Sequence, residues 1–203
     1  MKRFISFFIS IICLFSFSAC QNSVGVQPVF PTPIPVVKNE EKFLSDLEKD
    51  GQTEEIVISY TSEESLWLGA SLDLTVKIND TDFIADISML PEEYAILHTQ
   101  YFTLDVDGDE TQEIVFSCEN SGSISDRKVF IFKYADGTIT QLPSIMTVDL
   151  TKPEGYELFL SEITAEQERL KATFFFYQHD VDFETEQLSV FLSYQNGVWK
   201  VEG

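Results

Sequence analysis

The stretch Asp105-Val106-Asp107-Gly108-Asp109-Glu110-Thr111-Gln112-Glu113-Ile114-Val115 places carboxylates at alternate positions one, three and five. Curled into a loop, three such groups converge on one hard cation. The carbonyl of Thr111 at position seven and the carboxylate of Glu113 at position nine add further oxygens, a donor set suited to Ca²⁺. A worn copy lies upstream in Asp46-Leu47-Glu48-Lys49-Asp50-Gly51-Gln52-Thr53-Glu54-Glu55-Ile56-Val57. It offers Asp46, Glu48, Asp50 and Glu54 as a weaker second site, with Lys49 where the Asp105 loop has Gly108. Ile56 and Ile114 lie 58 positions apart, which suggests a repeating unit of that size.

Such loops must be held by the elements around them, and the surrounding pattern is β. Ile56–Tyr60, Leu72–Ile78, Ile114–Cys118 and Val129–Tyr134 are short β-branched and aromatic runs bounded by the turn signals Asn79-Asp80, Asp107-Gly108, Ser121-Gly122 and Asp136-Gly137. The C-terminal third adds Leu158–Leu160, Leu170–Tyr177 and a hairpin of Leu188–Tyr194 with Val198–Val201 about Asn196-Gly197. Two short helices are expected. One runs over Lys38–Lys49, with Phe43, Leu44 and Leu47 on its apolar face. The other covers Met89–His98, opened by Pro91 with Glu92 and Glu93 in its first turn. The fold class expected is mainly β: antiparallel sheets in an open propeller-like or sandwich-like domain with one or two short helices.

The Asp105 loop is not an EF-hand, because Glu110 stands where that loop needs glycine, Phe116 where it needs glutamate, and a strand follows in place of a helix. It resembles the calcium loop of the FG-GAP and VCBS repeat families, an Asp-x-Asp-Gly-Asp-Gly pattern leading into a strand. Gly108 fits that pattern and Glu110 replaces its second glycine. The resemblance covers residues 46–137. It implies a structural Ca²⁺ held by Asp105, Asp107, Asp109, Thr111 and Glu113, and blade-like units of which the C-terminal third is one without its loop. Two or three units are too few to close a propeller of about four to eight blades.

Other reactive groups carry weaker chemistry. Cys118, His98 and His179 contain the parts of a cysteine hydrolase, but Cys118 alternates with Ile114 and Phe116 on one strand face and reads as a core thiol. Ser125-Asp126-Arg127-Lys128 has a Ser-x-x-Lys spacing without the partner motifs of penicillin-recognising enzymes. Asp180, Asp182 and Glu184 share one side of an extended segment and form the basis of an alternative reading, an acidic hydrolase cleft. Trp67, Phe174–Tyr177 and Trp199 read as packing residues before they read as a carbohydrate groove.

The N-terminus addresses the chain to a place. Met1-Lys2-Arg3, an apolar run from Phe4 to Phe17 and then Ser18-Ala19-Cys20 resemble a bacterial lipoprotein signal with its lipobox, although Phe17 stands where leucine is usual. The resemblance implies removal of residues 1–19 and lipidation of Cys20. Residues 20–38 then form a linker, with four prolines between Pro28 and Pro35, and residues 39–203 an acidic β-repeat domain. Of the 13 Lys and Arg, Lys2 and Arg3 leave with the signal, so 11 remain against 34 Asp and Glu, a formal charge of −23. That charge excludes nucleic acid as a partner and leaves membrane attachment to the lipid. Cys13 leaves too, so Cys118 has no partner for an internal disulfide.

The expectation is therefore a non-enzymatic lipoprotein on the outer face of the cytoplasmic membrane. Its Ca²⁺-stabilised domain would act as a binding or adhesion module toward an envelope protein or glycan. The alternative is an envelope hydrolase or an accessory subunit to one.

Overall fold

Every strand in the computed structural model pairs antiparallel with a neighbour in sequence; the structure describes residues 36–67, 70–90, 94–119, 127–150, 156–177 and 187–202. Strands β1 (Lys38–Ser45), β2 (Glu54–Thr61), β3 (Leu74–Ile78) and β4 (Thr81–Ile84) form a first sheet in that order. A second sheet holds β5 (Leu97–Leu104), β6 (Glu113–Glu119), β7 (Arg127–Ala135) and β8 (Thr138–Gln141). The third holds β9 (Glu157–Glu166), β10 (Arg169–Tyr177), β11 (Gln187–Gln195) and β12 (Val198–Glu202). Each sheet is thus a four-stranded meander, and none closes on itself among the described residues.

Alternation along the strands explains how the sheets stack. In the second sheet Ile114, Phe116, Cys118, Phe130, Phe132 and Tyr134 pack with Ile56, Ile58, Tyr60, Leu74, Val76 and Ile78 of the first. The intervening residues Val115, Val129 and Ile131 pack with Leu160, Ile163, Leu170, Ala172, Phe174, Leu192 and Trp199 of the third. The middle sheet therefore has two buried faces, which is why β6 and β7 read as continuous apolar runs while β2 alternates.

The repeat register is 59 residues, one more than the Ile56–Ile114 spacing suggests. Asp46 matches Asp105, Leu47 matches Val106 and Glu54 matches Glu113, with Leu47 N–H donating to Glu54 Oε2 (2.8 Å) just as Val106 N–H donates to Glu113 Oε2 (2.9 Å). Ile56 then matches Val115, and the two point the same way along the stack: Ile56 lies in the core between the first and second sheets, Val115 in that between the second and third. A slip of one residue would exchange every inward and outward side chain. The carbonyls of Leu47 and Val106 each accept a bond from the following sheet, from Gln112 N–H and Tyr194 N–H, both at 2.7 Å. In the third sheet β9 and β10 are joined by the two-residue turn Gln167-Glu168, at φ +54° and +58°, where the other sheets carry their acidic loops.

Both expected helices are corrected. Lys38–Ser45 is a strand paired residue for residue with Thr61–Glu54, which puts Phe43 and Leu44 on opposite faces: Phe43 stacks on Tyr101 at 4.5 Å and Leu44 is 68% exposed. Three apolar residues fit either period, and the sheet pairing wins over local preference. Tyr94–Ile96 is irregular and β5 begins at Leu97, while residues 91–93 lie outside the described residues. The described α-helix is α1, Glu63–Trp67, capped by Ser62, whose Oγ accepts from Ser65 N–H at 3.2 Å. A 3-10 turn spans Ile145–Thr147. The expected hairpin at Asn196-Gly197 is present, both residues at positive φ (+53° and +82°) as a two-residue primed turn requires.

Candidate cation site

The Asp105 loop is the connection between β5 and β6, and its side chains make its shape. Asp105 turns inward: Oδ1 accepts from Gly108 N–H (2.7 Å) and Oδ2 from Glu110 N–H (3.0 Å). Asp107 Oδ1 accepts from Asp109 N–H (3.3 Å), and Asp109 Oδ1 accepts from both the N–H and the hydroxyl of Thr111. Two left-handed residues, Gly108 (φ +78°) and Glu110 (φ +74°), close the curl. The outcome is that one carboxylate oxygen each of Asp105, Asp107 and Asp109 lies within 4.8 Å of the others, a group that can hold a metal ion.

A lysine stands against two of the three. Lys133 of β7, next to the Ile114–Phe132 pair, brings Nζ to 2.6 Å from Asp107 Oδ2, into contact with Asp109 Oδ2 and to 3.4 Å from Glu113 Oε1. Glu113 is fully buried. Its Oε2 takes the Val106 N–H, whereas Oε1 has no hydrogen-bond partner and meets Lys133 only at ion-pair distance.

The electrostatics follow from this crowding. Burial pushes the Glu113 carboxyl up to about 7; the charges of Asp107 and Asp109 add to the rise, against the Val106 N–H bond and Lys133. Burial acts against the Lys133 charge as well, but its hydrogen bonds to Asp107 and Asp109 and the charge of Glu113 hold it above the ordinary lysine value. Asp109 is likewise raised by burial, and the bonds from Lys133 and Thr111 outweigh that and hold it well below the usual carboxylate range. Net attraction thus depends on a positive charge remaining beside these carboxylates.

The first loop shares the backbone and not the focus. Asp46 accepts from Asp50 N–H and Gly51 N–H as Asp105 does from its own loop, and Lys49 and Gly51 take the positive φ of Gly108 and Glu110. The difference lies in Glu48, the counterpart of Asp107, which is engaged elsewhere, while Asp50 holds the residue two positions on as Asp109 does. Glu48 Oε1 accepts from Asp136 N–H at the β7–β8 turn (3.2 Å), and Asp50 binds the N–H and side chain of Gln52. Among the described residues, Asp105, Asp107 and Asp109 form the gathered acidic group, and Asp46, Glu48 and Asp50 do not join in one.

Reading the sequence did not find Lys133. Its signal was one cation in the apolar run Val129–Tyr134, visible only once β6 and β7 are set in register and Glu113 comes opposite it. Beside the loop, Asp107 and Asp109 also line an open recess of 460 Å³ with Tyr194, Gln195, Asn196 and Gly197.

The other candidate groups fall into place or outside the described residues. Cys118 is fully buried with Ile114 and Phe116, its Sγ 4.0 Å from Tyr94 Oη. Phe174, Phe176 and Trp199 are buried, Trp199 donating Nε1–H to the Pro143 carbonyl at 2.7 Å, whereas Trp67 is 78% exposed. Cys20, Ser125, Asp126, His179, Asp180, Asp182 and Glu184 lie outside the described residues. Comparison with protein-family models, with curated proteins and with solved structures gives no match.

Proposed function

We propose that this chain is a lipid-anchored extracytoplasmic lipoprotein whose acidic β domain is a binding module related to FG-GAP and VCBS repeats and braced by Ca²⁺ at the Asp105 loop. The anchor reading rests on residues 1–20 and the excess of acidic charge. The repeat reading is supported by three four-stranded meanders, two of which carry, between their first and second strands, an acidic loop with two equivalent hydrogen bonds. The calcium is structural. It would tie the β5–β6 connection to the sheet at the layer between two cores, where the described residues hold no disulfide to do so.

The observation that carries the cation reading is the gathering of three aspartates, two of which, with buried Glu113, already hold a positive charge. Calorimetric titration of the purified protein with Ca²⁺ tests it. One site with a Kd of about 10⁻⁴ to 10⁻³ M, abolished by Asp107→Ala, is the expected result. Heat that is absent, or that persists unchanged in the variant, removes the Asp105 loop from the account.

A further inference from the structure

We propose that Lys133 is the resident cation of the Asp105 loop and that a divalent ion enters only by displacing its ammonium, so that this lysine sets the affinity of the site. The inference rests on the reading of the loop as a divalent-cation site. The Lys133 Nζ lies 2.6 Å from Asp107 Oδ2 and also contacts Asp109 Oδ2, two of the oxygens a metal would take. The ammonium occupies the Asp107 and Asp109 oxygens on the side where a divalent ion would bind, so an ion that takes them at coordination distance has to move it aside.

The ammonium is also an imperfect occupant. With three N–H donors fixed in a tetrahedral array, it reaches Asp107 and Asp109 but leaves Glu113 Oε1, fully buried, without a hydrogen bond at 3.4 Å. Ca²⁺ has no preferred direction and accepts about six to eight oxygens, so it suits the gathered oxygens of Asp105, Asp107 and Asp109 better than a tetrahedral ammonium does. The lysine is specific to this loop. Counting from the Ile56–Ile78 and Val115–Ile131 pairs, the first-sheet position that matches Lys133 holds Asp80, and there the acidic side chains are not gathered. Gathered carboxylates and a tethered ammonium thus occur together. The loop keeps its shape when calcium is scarce and exchanges one cation for another when it is plentiful.

Two measurements on the full-length protein test this. In the first, Ca²⁺ affinity is compared between the parent chain, Lys133→Met and Lys133→Arg. The methionine variant should bind about tenfold or more tighter, and the arginine variant no tighter than the parent. In the second, reductive methylation of the parent is followed by mass spectrometry in a chelator and in millimolar Ca²⁺, which needs no variant to fold. Labelling of Lys133 should rise several-fold with calcium, relative to exposed lysines such as Lys42. Equal affinities, or unchanged labelling while calcium binds, would overturn the competition and leave the site standing. No calcium binding by the parent or by Lys133→Met would overturn the site itself.

Discussion

Two left-handed residues shape each acidic loop, and each loop has kept a glycine at only one of them. Lys49 and Gly51 occupy these positions in the first, Gly108 and Glu110 in the second. A side chain at positive φ costs about 1 kcal/mol or more relative to glycine. Glu110→Gly should therefore stabilise the domain by up to about 1 kcal/mol, read as a higher denaturant midpoint, after allowance for the extra freedom glycine gives the unfolded chain. Gly108→Ala should do the reverse through strain alone, since no atom beyond its chain neighbours lies within 4 Å of the added Cβ.

Glu113 gives a pH dependence of definite sign. Its folded-state value is raised to about 7 from an ordinary 4.5, so the folded protein keeps a proton that the unfolded chain releases between those values. The stability it contributes is present at the acidic end of that window and is lost as pH rises through it. In a chelator, the midpoint should fall less between pH 5 and pH 8 for Glu113→Gln than for the parent; identical slopes would mean that the buried carboxyl does not titrate there. Calcium reverses the trend, because the ion needs the carboxylate and releases its proton on binding.

At the level of elements, β6 carries the architecture. Glu113–Cys118 is buried throughout, with even-numbered residues packed on the first sheet and Val115 on the third. Phe116, fully buried and near Tyr60 and Phe130, should cost about 3 to 5 kcal/mol on truncation to alanine. Val57→Ala, at a half-buried position of β2, should cost much less, and equal losses by denaturant unfolding would contradict the stacked arrangement.

The sequence was legible where side-chain type alone decides: the apolar runs of β2, β6 and β7, the Asn196-Gly197 hairpin and the aspartates of the Asp105 loop. It was not legible where pairing decides. Phe43, Leu44 and Leu47 suit a helix until β2 lies alongside, and β5 carries too mixed a pattern to be seen before it pairs with β6. Lys133 is no more than one cation in an apolar run until the β6–β7 register sets it against Glu113. The 59-residue repeat shows itself in equivalent hydrogen bonds, whereas the two isoleucines pointed to a neighbouring register.

Across the whole molecule, three sheets share two cores in one compact unit spanning Ile34–Gly203. Its chain has 34 acidic residues against 13 basic ones, so self-repulsion works against compactness and the gathered aspartates concentrate that repulsion. Lys133 relieves it locally, and a divalent ion would relieve it further, at a loop bonded to both neighbouring layers: Gln112 N–H to Leu47 and Val106 to Tyr194 N–H. Cation binding should accordingly be felt as stability of the whole body. The most direct measurement is thermal unfolding of the protein in a chelator and then in millimolar Ca²⁺, with Asp107→Ala beside it. A melting temperature that rises with calcium in the parent and not in the variant is the predicted result. The same melting temperature in both solutions for the parent would contradict the account and reduce the Asp105 loop to an acidic turn neutralised by Lys133.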